Sequence, residues 1–258
     1  MRWLVFILFF STFHLIASDE VQSVVSNLEK ELGVEIKLDT GFQDTWEAVS
    51  YETVDDQTSL LTYLTLLLKE YKKYPAGFFK KVEVSTIIVC KELHFETQER
   101  AAIPDCYNNT LLLDANFQKY DTSYLTHVMH HELHHCTEFA IWGSTYYEWP
   151  EWEAINADTF LYGAGGASAY LVENMDKDYY TMCHPKTGFC TPYQMTGEEE
   201  DRCETMAFVM ADYRREEYFS YCREDSLLMN KFQLLIKLMN EFWGSTDTFW
   251  YRQAEKVQ

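Results

Sequence analysis

His131-Glu132-Leu133-His134-His135 sets two imidazoles four residues apart, with a carboxylate directly after the first. On a helix of 3.6 residues per turn, His131 and His135 stand one above the other and can grip one metal ion, with Glu132 beside it. Zinc bound with an open position lowers the pKa of its water to roughly 7. An adjacent carboxylate can take the proton as that water attacks a peptide carbonyl. The pattern therefore offers metal-dependent peptide hydrolysis. Five of the eight histidines (127, 130, 131, 134 and 135) crowd into this stretch, so a second pair one turn apart exists, His130 with His134. Only the frame starting at 131 has Glu after its first ligand. The bland competitors are a solvated histidine-rich helix face or a metal-storage patch.

Catalytic zinc needs a third protein ligand. A metzincin continuation would put Gly at 138 and His at 141, where this chain has Glu138 and Ile141. Glu151 and Glu153 stand 16 and 18 residues after His135, but Ile155 and Ala157 occupy the places where an acidic partner would follow. A stronger candidate is Thr196-Gly-Glu-Glu199-Glu200-Asp201-Arg202-Cys203-Glu204, which starts like a capping box with Thr196 as cap and Glu199 at the third position. Glu200 and Glu204 then share a helix face. One can bind the metal while the other accepts the free ring N–H of a ligand histidine. Asp201 offers a competing carboxylate, and the helix dipole alone favours acids in a first turn.

Together, His131 to His135 and Tyr193-Gln-Met-Thr196-Gly-Glu-Glu-Glu200-Asp201-Arg-Cys203-Glu204 resemble the gluzincin metallopeptidases related to lethal factor and the Pro-Pro endopeptidases, in particular their secreted zinc-binding relatives. The resemblance implies zinc ligands His131, His135 and Glu200, with Glu132 as general base. It puts Glu204 at the supporting carboxylate that orients a ligand, and Tyr193 at the tyrosine that supports the oxyanion. Cys203 stands where the family has a small Ala, and Arg202 where an aromatic is common. The similarity is firmest over 121–140 and 193–210.

The elements that must position these groups are legible in part. Leu125, Val128, Met129, Leu133, Cys136 and Ala140 repeat at helical spacing, Asp121 or Thr122 can cap the helix, and no Gly or Pro interrupts 122–141. Upstream, Val21 to Leu32 predicts an amphipathic helix stopped by Gly33, followed by a strand over 34–38. A helix over 60–71 and a β-branched strand over 82–90 follow. Ala101–Pro104 and Thr110–Leu113 predict a hairpin or an irregular sheet edge, with Pro104 at an edge position to which a peptide substrate could add. Beyond, Glu151 to Phe160 predicts a helix, the glycine-rich run over 162–168 a flexible connection or lid, and Ser226 to Trp243 a core helix.

With 258 residues and 47% hydrophobic content the chain can bury a sizeable core. Met1-Arg2-Trp3 before the apolar run Leu4 to Ala17 reads as a secretory signal over 1–18, too short for an ordinary bilayer span. The rest, 19–258, reads as one domain, an upper lobe to about 141 and a lower lobe from about 142. The formal charge of −20 disfavours nucleic acid and anionic membranes. Seven cysteines without a CxxC pair suit disulfides in a secreted protein, with Cys183–Cys190 closing a turn and Cys90–Cys106 tying neighbouring strands. Asn108-Asn109-Thr110 is a glycosylation sequon. The expectation is an α+β zincin-like fold: a small mixed sheet with the HExxH helix, and a mainly helical remainder carrying Glu200. The expected function is that of a secreted, monomeric endopeptidase acting on peptides or proteins, with one Zn2+ per chain and no membrane contact once the signal is removed. The alternative is a non-catalytic zinc-binding or adhesive protein on the same scaffold.

Overall fold

A computed structural model describes residues 18–163, 165 and 178–257. The expected signal segment, Ser18 apart, and most of the glycine-rich run lie outside the described residues. The chain opens with α1 (Asp19–Leu32), whose N-terminus is capped by Ser18 accepting from the Val21 N–H. Gly33 ends it at φ 73°, a left-handed conformation that glycine adopts without Cβ strain. Then come β1 (Glu35–Lys37), β2 (Val49–Glu52), α2 (Gln57–Tyr71) and a one-turn α3 (Phe78–Lys81). The β-branched run becomes β3 (Thr86–Phe95), starting later than its composition suggests because Val82 and Val84 are buried in the turn out of α3.

β3 is the spine of a mixed six-stranded sheet. β1 and β6 (Thr110–Asp114) flank it in parallel, and β5 (Ala102–Asp105) adds antiparallel to β6 as an edge. β2 and β4 (Gln98–Glu99) pair antiparallel with its far half. Alternation along the strands sorts the side chains: Ile87, Val89, Leu111 and Leu113 enter the main core, while Ile88, Cys90, Leu112 and Ile103 form a smaller apolar cluster on the other face.

The long helix α4 (Thr122–Trp142) begins at Asp121, which accepts from the Tyr124 N–H, and ends at Gly143. It lies between the sheet, which receives Leu125, Met129 and Leu133, and α6 (Glu198–Met210). Every α6 residue from Glu199 to Met210 is buried. The remaining helices are α5 (Pro150–Glu153), α7 (Asp212–Glu224), α8 (Ser226–Trp243) and α9 (Phe249–Ala254), and no helix among the described residues is long and apolar enough to cross a membrane. This is the α+β architecture that the sequence predicts, a small mixed sheet with helices packed against it.

Several expectations need correction. The helix foreseen over 151–160 stops at Glu153, after which Asn156 turns to donate to the Tyr162 hydroxyl. Thr196 is not the cap of α6: Gly197 holds that position, and the Thr196 hydroxyl donates back to the Tyr193 carbonyl. All seven cysteines are free. Cys90 and Cys106 are not on neighbouring strands, because β6 separates β3 from β5. The Cys90 thiol donates to the Leu113 carbonyl, and that of Cys106 lies 3.6 Å from Cys136. Cys183 and Cys190 do meet across a turn, but it is closed by backbone, with the Cys183 and His184 N–H groups both donating to the Cys190 carbonyl.

Candidate metal centre

On α4, His131 and His135 turn toward α6 with their Nε2 atoms 3.2 Å apart. Glu200, in the first turn of α6, brings Oε2 to 3.0 Å from His131 Nε2 and 3.6 Å from His135 Nε2. Three potential ligand atoms thus form a triangle with sides of 3.0, 3.2 and 3.6 Å. Tetrahedral zinc with metal–ligand distances of about 2.0–2.1 Å requires edges of about 3.3 Å, so the three residues fit the ion as they stand. Burial opposes a charge on Glu200, but the bonds and charges of the two histidines outweigh it and hold the carboxyl well below its ordinary range. An ionised carboxylate and two imidazoles suit a borderline-soft divalent cation. Cys203 also lies within 4.8 Å of both imidazoles, but burial pushes its thiol up so that it keeps its proton.

Glu204, one turn further along α6, faces the opposite nitrogen of the same imidazole. Its Oε1 is 3.0 Å from His131 Nδ1 and 2.5 Å from His127 Nε2, and its Oε2 accepts from the Thr191 hydroxyl at 3.2 Å. A carboxylate on Nδ1 fixes the tautomer that leaves Nε2 free for a metal. Glu200 thus faces the Nε2 atoms of both imidazoles, and Glu204 the opposite nitrogen of His131. His127 completes a series of imidazoles at 127, 131 and 135. That four-residue repeat was the available signal for His127, which the sequence reading left without a role.

Asp201 does not compete. It is fully buried and points away from the histidines, receiving Lys231 at 2.7 Å, Trp152 Nε1 at 3.1 Å, the Tyr162 hydroxyl at 2.7 Å and Gln194 Nε2 at 2.9 Å. Arg202 likewise serves the scaffold, forming a two-pronged bond to Glu138 of α4 at 2.6 and 2.9 Å and a further bond to Glu198. The two side chains that follow Glu200 thus tie α6 to α4, α5 and α8. The other histidine pair is absorbed structurally: His130 sits between Glu70 and the Tyr74 hydroxyl, each at 3.1 Å, and His134 lies against Glu138. Glu151 and Glu153 are exposed on α5 and take no part in the cluster.

The cluster lines a cleft of about 340 Å³ together with Glu132, Tyr193 and β5. Glu132 is partly exposed there, and burial raises its pKa against the pull of His131 and His135. Tyr193 precedes α6 in a 3-10 turn, its ring centroid 5.9 Å from that of His131. Along the opposite wall runs the edge strand. The Ala101 carbonyl accepts from the Asp114 N–H at 2.9 Å, making 101 and 114 a hydrogen-bonded pair. Antiparallel alternation then gives Ile103 and Asp105 the same inward bonding and turns the backbone groups of Ala102 and Pro104 outward. Pro104 has no N–H to waste at such a position, and no described strand covers this edge.

No protein-family model and no curated protein matches the sequence. In fold, the chain is similar to a solved structure from Bacteroides caccae, that of a "putative zinc-binding metallo-peptidase", with a TM-score of 0.54 across 94% of each chain at 15% identity. The two proteins thus share a fold with little sequence in common. Asn108, the sequon residue, is exposed beside β5, its side-chain amide donating to Asp105 at 3.0 Å.

Proposed function

We propose that this chain is a secreted zinc endopeptidase, active as a monomer on peptide or protein substrates. The observation that carries the reading is the triangle of His131, His135 and Glu200 beside the Glu132 carboxylate, in a cleft walled by the edge strand β5. A zinc ion, which His131, His135 and Glu200 would hold, would supply Lewis acidity there.

The chain's own groups do the rest. An extended peptide adds to β5, bonding to Ala102 and to the Pro104 carbonyl, which lays its backbone across the cleft. Glu132, its basicity raised by burial, takes the proton of the attacking water and passes it to the leaving nitrogen. Tyr193 donates its hydroxyl toward the oxygen on which charge develops. Glu204, braced by His127 and Thr191, keeps the His131 ring in register. The fold similarity to the Bacteroides protein and the resemblance of both motifs to gluzincins support the same reading. Replacing Glu132 by Gln tests it: zinc content stays at one per chain while cleavage of a mixed peptide library is abolished. Undiminished cleavage refutes the assignment of the base, and zinc without any cleavage by the wild type favours the non-catalytic alternative.

A further inference from the structure

On the reading that peptides bind along β5, the cleft carries a second recognition element. The segment before β2 is folded tightly over the edge of the sheet. Asp44 accepts from the N–H groups of Trp46, Ala48 and Val49 at 2.9, 3.2 and 3.1 Å. Thr45 is clamped to Asp105, the fully buried last residue of β5, through its N–H at 2.9 Å and its hydroxyl at 2.6 Å. The product of this bonding is an indole held at the cleft wall and 42% exposed. Its ring meets Phe95 edge-on with centroids 5.6 Å apart. A large apolar side chain fixed in an exposed position by local polar bonds is a surface prepared for contact.

Strand geometry decides which substrate residue reaches it. Residues directly opposite one another in an antiparallel pair share a face of the sheet. Ile103 points to the smaller apolar cluster, the face that carries Phe95, whereas Ala102 belongs to the face packed against the main core and α4. A peptide residue lying opposite Ile103 therefore projects away from the metal triad and toward the indole, while its two neighbours project toward α4.

We infer that Trp46 and Phe95 form a substrate subsite for one apolar or aromatic side chain, that of the peptide residue opposite Ile103. Recognition is by ring and methyl contact, so an acidic side chain is rejected there. Decapeptides differing at a single central position, with Phe, Leu, Ala or Asp, are the probe. The wild type is expected to cleave the Phe and Leu peptides at least about tenfold better in kcat/KM than the Asp peptide, the scale of discrimination by an apolar pocket. Trp46→Ala is expected to flatten that preference through KM, with zinc content unchanged, and Trp46→Phe to retain most of it. A preference that survives in Trp46→Ala overturns the inference, as does a wild-type profile with no apolar preference at any position. Binding of the same peptides, fluorescently labelled, to the Glu132→Gln protein separates this inference from the assignment of the enzyme. Phe-selective binding lost in Trp46→Ala upholds the subsite even if the wild type cleaves nothing, and no selective binding rejects it.

Discussion

Lys231 is a demanding place to perturb this protein, because its ammonium is fully buried 2.7 Å from the equally buried Asp201. It also donates to the Gly188 carbonyl at 2.8 Å and lies 3.6 Å from the centroid of the Phe189 ring. Lys231→Met keeps the length of the stem and removes the charge. Asp201 then retains only the neutral donors Trp152, Tyr162 and Gln194. Leaving one partner of a buried pair uncompensated costs about 3–5 kcal/mol. With a urea slope of about 2–3 kcal/mol/M, the unfolding midpoint is expected to fall by about 1–2 M. Urea titration followed by tryptophan fluorescence and by far-ultraviolet circular dichroism reads the shift and checks that the transition stays cooperative. The double variant Lys231→Met/Asp201→Asn should be much less destabilised than the sum of its singles, because the orphaned charge is gone. A single-variant loss under about 1 kcal/mol, or simple additivity in the double, would refute the claim that this pair anchors α6.

Other consequences can be checked independently. Glu200→Ala is expected to lose stoichiometric zinc while Glu153→Ala keeps it, read by mass spectrometry of metal content. Glu204→Gln should retain zinc with an affinity lower by about 10–100-fold in competition with a chelator, since it leaves His131 coordinated but poorly oriented; unchanged affinity would mean that His131 is held by other means. Stability should fall with acid. Burial brings His130 down to about 4 against the pull of Glu70, and pushes His134 well below its ordinary value, so the unfolded chain binds more protons once pH drops below about 6.5. Burial opposes ionisation of Glu70, but His130 and Lys73 outweigh it and hold the carboxyl at about 2. Its contribution is thus present above the unfolded value of about 4.3 and lost as pH falls toward 2. Thermal midpoints of the Glu200→Ala protein at pH 7.5, 5.5 and 4 test this without interference from zinc release, and a flat profile would contradict it. Asn108→Gln should remove one glycan's mass when the protein is made in a eukaryotic secretory pathway.

What the sequence disclosed follows from which interactions are local. The HExxH spacing, the Asp121 cap and the apolar stripe of α4 are set within a few residues, and the helix appears where they put it. Pro104 sits at the sheet edge because a residue without an N–H fits an outward-facing position. Strand order was not legible: nothing local in Cys90 or Cys106 announces that β6 inserts between their strands. The polar helix α7 was missed because Tyr218, Phe219 and Cys222 bury a narrow stripe within a charged segment. Glu200 and Glu204 were visible as a pair, but their division between the two nitrogens of His131 depends on how α6 is rotated against α4. That rotation is set by Asp201 and Arg202, whose partners Lys231 and Glu138 are 30 and 64 residues away.

The burial of α6 along almost its whole length has a consequence for how the molecule is made. Glu200, Asp201, Arg202 and Glu204 are all buried, and each is paired with a side chain from outside α6, three of them on α4 and one on α8. Inserted early, this segment would carry naked charges into the interior. It can settle only once the helix at 122–142 and Lys231 of α8 are both at hand to meet those charges. A chain truncated before that lysine should be unable to bring the two imidazoles of α4 and the Glu200 carboxylate together.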